Sequence, residues 1–312
     1  MIALSLLACA NLDAFVFNGV PCSQIGPETC EGKDSAWDAL CVVCEQPYDW
    51  TRDYPWMDGT LRPDQSIRPV DDWLVTELDV KTEDGEGHLD GVFLAAHGDD
   101  PVLARITLLY NHGNYASIEH YQPRIRMLYE AGYNVLAWDY RGYGKTTPET
   151  SPTAEQHLSD ASLMLAEARR LAPDPDLVIP YGYSLGTITA TAQAVEADSC
   201  ALLLEAPFAS MASIANDNTT LSLGEQLFSA GGFDSRARMD VYEGAALGMT
   251  GTEDRTAPTE KVHALLERGP GPREVWELPG VHHGVSDGGI PEAGLDDYLD
   301  HLRTFLDQHG CL

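Results

Sequence analysis

From Trp73 onward the chain alternates short apolar runs with longer stretches whose apolar positions recur at helical spacing. Val75-Thr76-Glu77-Leu78-Asp79-Val80 and Leu89-Asp90-Gly91-Val92-Phe93-Leu94-Ala95-Ala96 flank the Gly/Glu-rich segment 83–87 and predict a β-hairpin. Residues 104–110 predict a buried strand that closes on Asn111-His112-Gly113-Asn114-Tyr115. A helical stretch over 121–131 leads to a strand at 133–138, closed by Asp139-Tyr140-Arg141-Gly142-Tyr143-Gly144-Lys145. A helix over 154–171 precedes a further apolar run at 177–183, and a helix-compatible segment follows at 187–194. Strands at 201–204, 245–249 and 274–278, a helix at 259–268 and an amphipathic helix at 295–308 complete the pattern. Strands apolar on both faces and separated by helices predict an α/β fold, a mostly parallel central sheet flanked by helices on both faces. Function in such sheets sits at the carboxyl ends of the strands.

The stretch Leu177-Val178-Ile179-Pro180-Tyr181-Gly182-Tyr183-Ser184-Leu185-Gly186 reads as strand, sharp turn, helix. A serine at such a turn takes a strained backbone conformation, and small residues two before and two after it let strand and helix approach. Gly182 and Gly186 meet that demand. The N-terminus of the following helix offers unpaired N–H groups and a positive dipole end to anionic charge developing near Ser184. The pentapeptide alone is equally compatible with a plain glycine-rich loop, so a base, an orienting acid and a second oxyanion donor must come from elsewhere in the chain.

With 312 residues the chain has room for one large α/β domain or two small ones, and its 44% hydrophobic and 22% charged content is that of a globular protein. A net charge of -30, from 19 basic and 49 acidic residues, repels nucleic acid and anionic headgroups and argues against both as partners. We attribute the charge to solubility or salt adaptation. No stretch reaches the roughly 18 consecutive apolar residues needed to span a membrane.

Residues 1–9 are almost wholly apolar and run through Leu6-Leu7-Ala8 into Cys9. They resemble the end of a bacterial lipoprotein signal, which would place a lipid anchor on Cys9 and the protein in the cell envelope, although no Lys or Arg precedes the run. A buried N-terminal strand and a cytoplasmic protein are the alternative. Residues 10–70 are rich in Pro, Asp, Trp and Tyr and predict an irregular Cys-rich extension, with Trp37, Trp50, Tyr54 and Trp56 as packing residues. Cys22, Cys30, Cys41 and Cys44 crowd into this extension, while Cys200 and Cys311 stand apart. Four clustered cysteines in an exported segment read as two disulfides of open connectivity; the Cys41-Val42-Val43-Cys44 spacing keeps a zinc site as the rival.

His112-Gly113-Asn114, then Asp139-Tyr140-Arg141-Gly142-Tyr143-Gly144, then Gly182-Tyr183-Ser184-Leu185-Gly186, in that order, resemble the α/β-hydrolase superfamily over about residues 73–309. Within it, the small serine-aminopeptidase-like branch is the most similar. The resemblance implies an α/β-hydrolase domain over 71–312, with a small cap inserted at about 207–243. Met211, Ile214, Leu221, Leu223, Leu227, Phe228 and Phe233 would then serve both as packing and as an apolar acyl-binding wall.

The resemblance also implies the chain order nucleophile, acid, base. Asp254, in Thr250-Gly251-Thr252-Glu253-Asp254, takes the acid position, with adjacent Glu253 and strand-end Glu205 as rivals. In Pro279-Gly280-Val281-His282-His283-Gly284 the family spacing selects His283 as base over His282. The oxyanion would meet the main-chain N–H groups of Asn114 and Leu185. Asp139 is expected to fix the Arg141-Gly142 turn, His112 to hold its own loop, and the remaining histidines to lie on the surface. The implied activity is a serine hydrolase acting on a small-molecule acyl substrate, an ester, thioester or small amide, through an acyl-enzyme on Ser184. No metal or organic cofactor is implied. The rival reading is a non-catalytic envelope lipoprotein that keeps the fold as a binding module.

Overall fold

A computed structural model describes residues 16–17, 19–24, 50, 70–115, 117–210, 213, 233–283 and 295–312. The expectations for Cys9, Cys30, Cys41, Cys44, Trp37, Tyr54, Trp56 and most of the cap lie outside these residues.

Eight strands form one sheet: β1 (Val75–Lys81), β2 (His88–Leu94), β3 (Thr107–Asn111), β4 (Asn134–Trp138), β5 (Val178–Tyr183), β6 (Ala201–Glu205), β7 (Ala245–Gly251) and β8 (Arg273–Leu278). Among the described residues, six α-helices accompany them: α1 (Gln122–Glu130), α2 (Ala154–Leu171), α3 (Gly186–Ala197), α4 (Ser235–Met239), α5 (Thr259–Leu266) and α6 (Leu295–Gln308). The strand order is β1-β2-β4-β3-β5-β6-β7-β8, antiparallel where β1 meets β2 and β2 meets β4, and parallel from β4 through β8. The mostly parallel sheet read from the hydrophobic pattern is therefore the observed one.

Alternation along β6 shows how both faces are used. Ala201 and Leu203 belong to the core that includes Ala161, Met164 and Leu165 of α2 and Leu302 and Phe305 of α6. Leu202 and Leu204 turn the other way, against Ala190 and Ala194 of α3 and Val262, Leu265 and Leu266 of α5. Strands β3 to β7 are buried along their whole length, which is why they carry no polar alternation. Truncating one of these leucines to alanine would cost about 2–5 kcal/mol.

Two of the boundaries that differ from the sequence expectation have a visible local cause. Residues 103–105 form a 3-10 turn, closed by the Ile106 N–H on the Leu103 carbonyl at 2.9 Å, so β3 starts at Thr107. β2 stops at Leu94, and the Ala96 N–H donates to Asn134 Oδ1 at 3.0 Å instead of extending the ladder. α2 opens on a capping box in which Thr153 Oγ1 accepts the Gln156 N–H at 3.2 Å and Gln156 Oε1 accepts the Thr153 N–H at 3.0 Å.

Cys200 and Cys311, which the sequence left standing apart, are joined in a disulfide across 111 residues. It ties the approach to β6 to the chain beyond α6, and a loop of that length is worth about 4–5 kcal/mol in the chain-entropy account. Cys22 is also disulfide-bonded. Trp50 is buried, as a packing residue should be.

The surface assignment of the remaining histidines fails for two of them. His157 and His120 are buried, and burial pushes their pKa values down to about 3 and about 4, so both are neutral. His157 lies on the inner face of α2, where Nε2 is 2.7 Å from Thr189 Oγ1. Asp139 is structural, but its carboxylate does not hold Arg141. It accepts the Ile118 N–H at 2.8 Å, and Arg141 instead makes a two-pronged bond to Asp160 at 2.7 and 2.9 Å and a third to Asp84 at 2.7 Å.

Candidate active site

The turn between β5 and α3 is built from the residues that the sequence singled out. Ser184 has φ 52°, left-handed for a residue with a Cβ, which costs about 1–2 kcal/mol. Three hydrogen bonds hold it there. The Ser184 N–H donates to the Glu205 carbonyl at 2.9 Å, Thr187 Oγ1 donates to the Ser184 carbonyl at 2.6 Å, and the Phe208 N–H donates to Thr187 Oγ1 at 3.2 Å. The glycines are required by contact as well. A Cβ on Gly182 would lie 2.5 Å from the Gly186 carbonyl oxygen and from Thr187 Cα, and one on Gly186 would lie 2.1 Å from the Asn111 carbonyl oxygen. The second contact puts the loop after β3 directly against the turn.

Strands β7 and β8 deliver two more side chains to the same end of the sheet. The loops that follow them are stitched together: the Glu253 N–H donates to the Val281 carbonyl at 3.0 Å, and the Gly280 N–H donates to Thr252 Oγ1 at 2.9 Å. Gly251 packs so tightly that a Cβ there would lie 2.1 Å from the Val281 carbonyl oxygen. Asp254 thereby sits beside His283, with Oδ2 2.8 Å from His283 Nδ1, while its Oδ1 accepts the N–H groups of Thr256 at 2.8 Å and Ala257 at 2.7 Å. One oxygen caps the turn and the other faces the imidazole, so one geometry accommodates both the turn-aspartate and the orienting-acid readings. A carboxylate can only accept, which puts the His283 proton on Nδ1 and leaves Nε2 as acceptor for the Ser184 hydroxyl at 3.0 Å. The Asp254 side chain is 0% exposed, that of His283 is 17% exposed and Ser184 is buried, so the three groups stand largely shielded from solvent.

The rivals are placed elsewhere. His282 is 44% exposed and pairs with Glu253 at 3.4 Å. Glu205 is buried against Arg124 and accepts the Tyr181 hydroxyl at 2.8 Å. The Arg124 guanidinium lies 4.2 Å from the Tyr183 ring centre. Burial opposes its charge, but Glu205 together with Tyr183, Tyr110 and Tyr181 outweighs that and raises its pKa well above the usual value. The Tyr183 hydroxyl donates to the His283 carbonyl at 2.7 Å, and the Phe208 ring packs 5.9 Å from the imidazole, so two aromatic residues set where the histidine stands. Sequence reasoning missed Arg124, Thr187 and the Tyr183 hydroxyl, because nothing in the local pattern marks an arginine of α1 for burial beneath a tyrosine far along the chain.

His112 holds its loop as expected, with Nδ1 2.7 Å from the Gly113 carbonyl. Asn114 follows it, and Leu185 occupies the N-cap position of α3, where the Thr187 and Ile188 N–H groups donate to the Ser184 and Leu185 carbonyls at 3.0 and 3.1 Å. Phe208, Ala257, Leu265, Arg236, Lys261 and Arg268 line a cleft of about 210 Å³. Among the described residues, no group of three or more His, Cys, Asp or Glu side chains is arranged to hold a metal ion. Phe233, the described member of the apolar cap set, is buried against Phe17 and His157 at 5.9 and 5.6 Å.

Comparison with known proteins agrees with this architecture. A family model described as serine aminopeptidase S33 matches residues 104–229, which contain Ser184 but end before Asp254 and His283. An uncharacterized protein of Escherichia coli O157:H7, YfhR, is 29% identical over 158 residues, 49% of this chain and 55% of the relative, so the chain spans about half that relative's length. Human alpha/beta hydrolase domain-containing protein 17B is 27% identical over 208 residues, 66% of this chain and 67% of its own. The structure of the Pyrococcus furiosus esterase PF2001 superposes with a TM-score of 0.59 at 20% identity, covering 75% of this chain and 90% of the esterase. The chain has the α/β-hydrolase fold and is similar in sequence to members of that superfamily.

Proposed function

We propose that the protein is a serine hydrolase that cleaves an ester, thioester or small amide through an acyl-enzyme on Ser184. The observation that carries the reading is the hydrogen-bonded chain from Ser184 Oγ to His283 Nε2 at 3.0 Å and from His283 Nδ1 to Asp254 Oδ2 at 2.8 Å. In the acylation step His283 Nε2 takes the hydroxyl proton as Oγ attacks the acyl carbon. The carbonyl π pair moves onto oxygen, and the main-chain N–H groups of Leu185 and Asn114 stabilise the resulting oxyanion, each worth about 10²–10³ in rate. Collapse of this intermediate expels the leaving group, which takes the proton from His283. Water then attacks the acyl-enzyme with His283 again as base, releasing the acid and restoring the Ser184 hydroxyl. Asp254 holds the tautomer and stabilises the imidazolium throughout.

The test is labelling by a fluorophosphonate probe together with turnover of a short p-nitrophenyl ester. Wild-type protein should be labelled and active, and Ser184→Ala should lose both. A folded wild-type protein that takes up no probe would favour the binding-module reading.

We propose further that the protein is exported to the cell envelope. The Leu6-Leu7-Ala8-Cys9 run supports this, and so do the disulfides at Cys22 and at Cys200–Cys311, which persist in oxidising compartments. Mass spectrometry of the mature N-terminus decides it: a diacylglyceryl Cys9 supports the anchor, and an intact Met1 rejects it.

A further inference from the structure

Asn114, whose main-chain N–H the proposed mechanism uses, is held by its side chain from outside its own loop. Its Nδ2 donates to the main-chain carbonyl of Val16, and its Oδ1 accepts the Tyr143 hydroxyl. Val16 is 98 residues away in sequence, in a segment that lies across the turn following β4. There the Gly144 N–H donates to the Val20 carbonyl at 3.2 Å, the Cys22 N–H donates to the Gly144 carbonyl at 2.8 Å, and Pro21 and Gly144 form a parallel bridge. Gly19 is pressed so closely on this turn that a Cβ would lie 2.3 Å from the Gly142 carbonyl oxygen. The Phe17 ring is buried among His157, Phe233 and Tyr143, at 5.1, 5.9 and 6.4 Å.

We infer that this N-terminal segment is part of the active site's construction, a strap that sets the Asn114 main-chain N–H for the oxyanion, with Phe17 as its anchor and the Val16 carbonyl as its point of contact. The inference rests on the serine-hydrolase reading. Within the loop, the peptide that carries the N–H is held at its carbonyl, Gly113 O, by His112 Nδ1 at 2.7 Å and the Tyr115 N–H at 3.0 Å, and the Asn114 side chain adds the two anchors that come from outside it. An amide side chain bonded at both ends fixes its own torsions and, through them, the orientation of the backbone that bears it. Each of the two hydrogen bonds is worth about 0.5–1.5 kcal/mol net, enough to hold one orientation. A donor misplaced by about 1 Å forfeits up to about 10² in rate. Val16 and Phe17 are thus positioning residues that act through Asn114, and the extension is more than a packing appendage.

The experiment uses the full chain, with kcat expressed per active site titrated by the p-nitrophenolate burst and measured well below the thermal midpoint. Asn114→Ala keeps the main-chain N–H and removes both anchors. It should lower kcat about 10- to 100-fold with KM within about threefold, because the donor serves the transition state more than the bound substrate. Tyr143→Phe should lower kcat less, and Asn114→Ala/Tyr143→Phe should be no slower than Asn114→Ala alone, since both act through one amide. Phe17→Ala should lower kcat in the same direction and raise amide hydrogen exchange in the 112–115 peptide. The inference is overturned if Asn114→Ala keeps kcat within twofold of wild type, or if Phe17→Ala leaves exchange at 112–115 unchanged. If the wild-type protein neither turns over ester nor takes up the fluorophosphonate, the hydrolase reading itself has failed, and the exchange measurement alone judges whether the strap holds Asn114.

Discussion

Replacing Asp254 by asparagine separates the two jobs that its carboxylate performs. Oδ1 accepts the N–H groups of Thr256 and Ala257, and Oδ2 faces His283 Nδ1 at 2.8 Å. Asparagine keeps an acceptor for the turn, so Asp254→Asn should fold, losing about 1–2 kcal/mol as charge-assisted bonds become neutral ones. Its amide nitrogen, however, can only donate toward His283. Nδ1 must then accept, the ring proton moves to Nε2, and that nitrogen no longer accepts the Ser184 hydroxyl. Loss of the base in this way should reduce kcat by about 10⁴, the scale known for a wrong tautomer in a serine-protease triad, which is about 5.5 kcal/mol in the barrier. Asp254→Ala should lose a similar factor in kcat but also leave two turn N–H groups without their acceptor, at a further cost of about 1–3 kcal/mol in stability. Denaturant unfolding and p-nitrophenyl butyrate turnover, with Ser184→Ala as background, read both quantities. Turnover by Asp254→Asn within tenfold of wild type would falsify the assignment of Asp254 as the orienting acid.

Three further outcomes follow from the same geometry. His283→Ala should abolish turnover and His282→Ala should keep it within about threefold, since only His283 reaches Ser184; the reverse result reassigns the base. Between the two inactive variants, Ser184→Gly should be at least as stable as Ser184→Ala, because glycine relieves the cost of φ 52°, whereas at an ordinary position glycine is worse by about 0.5–1 kcal/mol; the ordinary order in a denaturant titration would deny the strain. His157 and His120, pushed down to about 3 and about 4 by burial, bind protons in the unfolded chain before they do in the folded one. Their contribution is complete above the unfolded value near 6.5 and is lost as pH falls toward 4, at up to about 1.4 kcal/mol per pH unit for each. His157→Gln should therefore lose less stability than wild type between pH 7 and pH 5, and equal losses would contradict this.

The chain's periodicities carried most of the architecture. Continuous apolar runs at β3 to β7 announced strands covered on both faces, and Gly182 and Gly186 announced a turn that only small residues permit, because these are local demands of backbone geometry and burial. The order of Ser184, Asp254 and His283 along the chain was legible as a resemblance. The family spacing also selected His283 over His282, but it gave no physical reason, since adjacent residues point in different directions and the stitched loops after β7 and β8 turn the His283 imidazole inward. The fate of Glu205, a strand-end carboxylate that could have been an acid until Arg124 arrived beneath it from α1, was not legible.

Contacts between distant segments left no trace at all in the pattern. Nothing near Cys200 announces Cys311, nothing around His157 announces a buried imidazole, and nothing in residues 16–22 announces Asn114. By itself the sequence determined what each segment becomes and which side chains can do chemistry, because propensity, periodicity and steric permission act over a few residues. Only the tertiary structure decided which of those side chains meet, because a hydrogen bond needs its partners within about 3 Å, and that proximity is set by how the whole sheet stacks its strands.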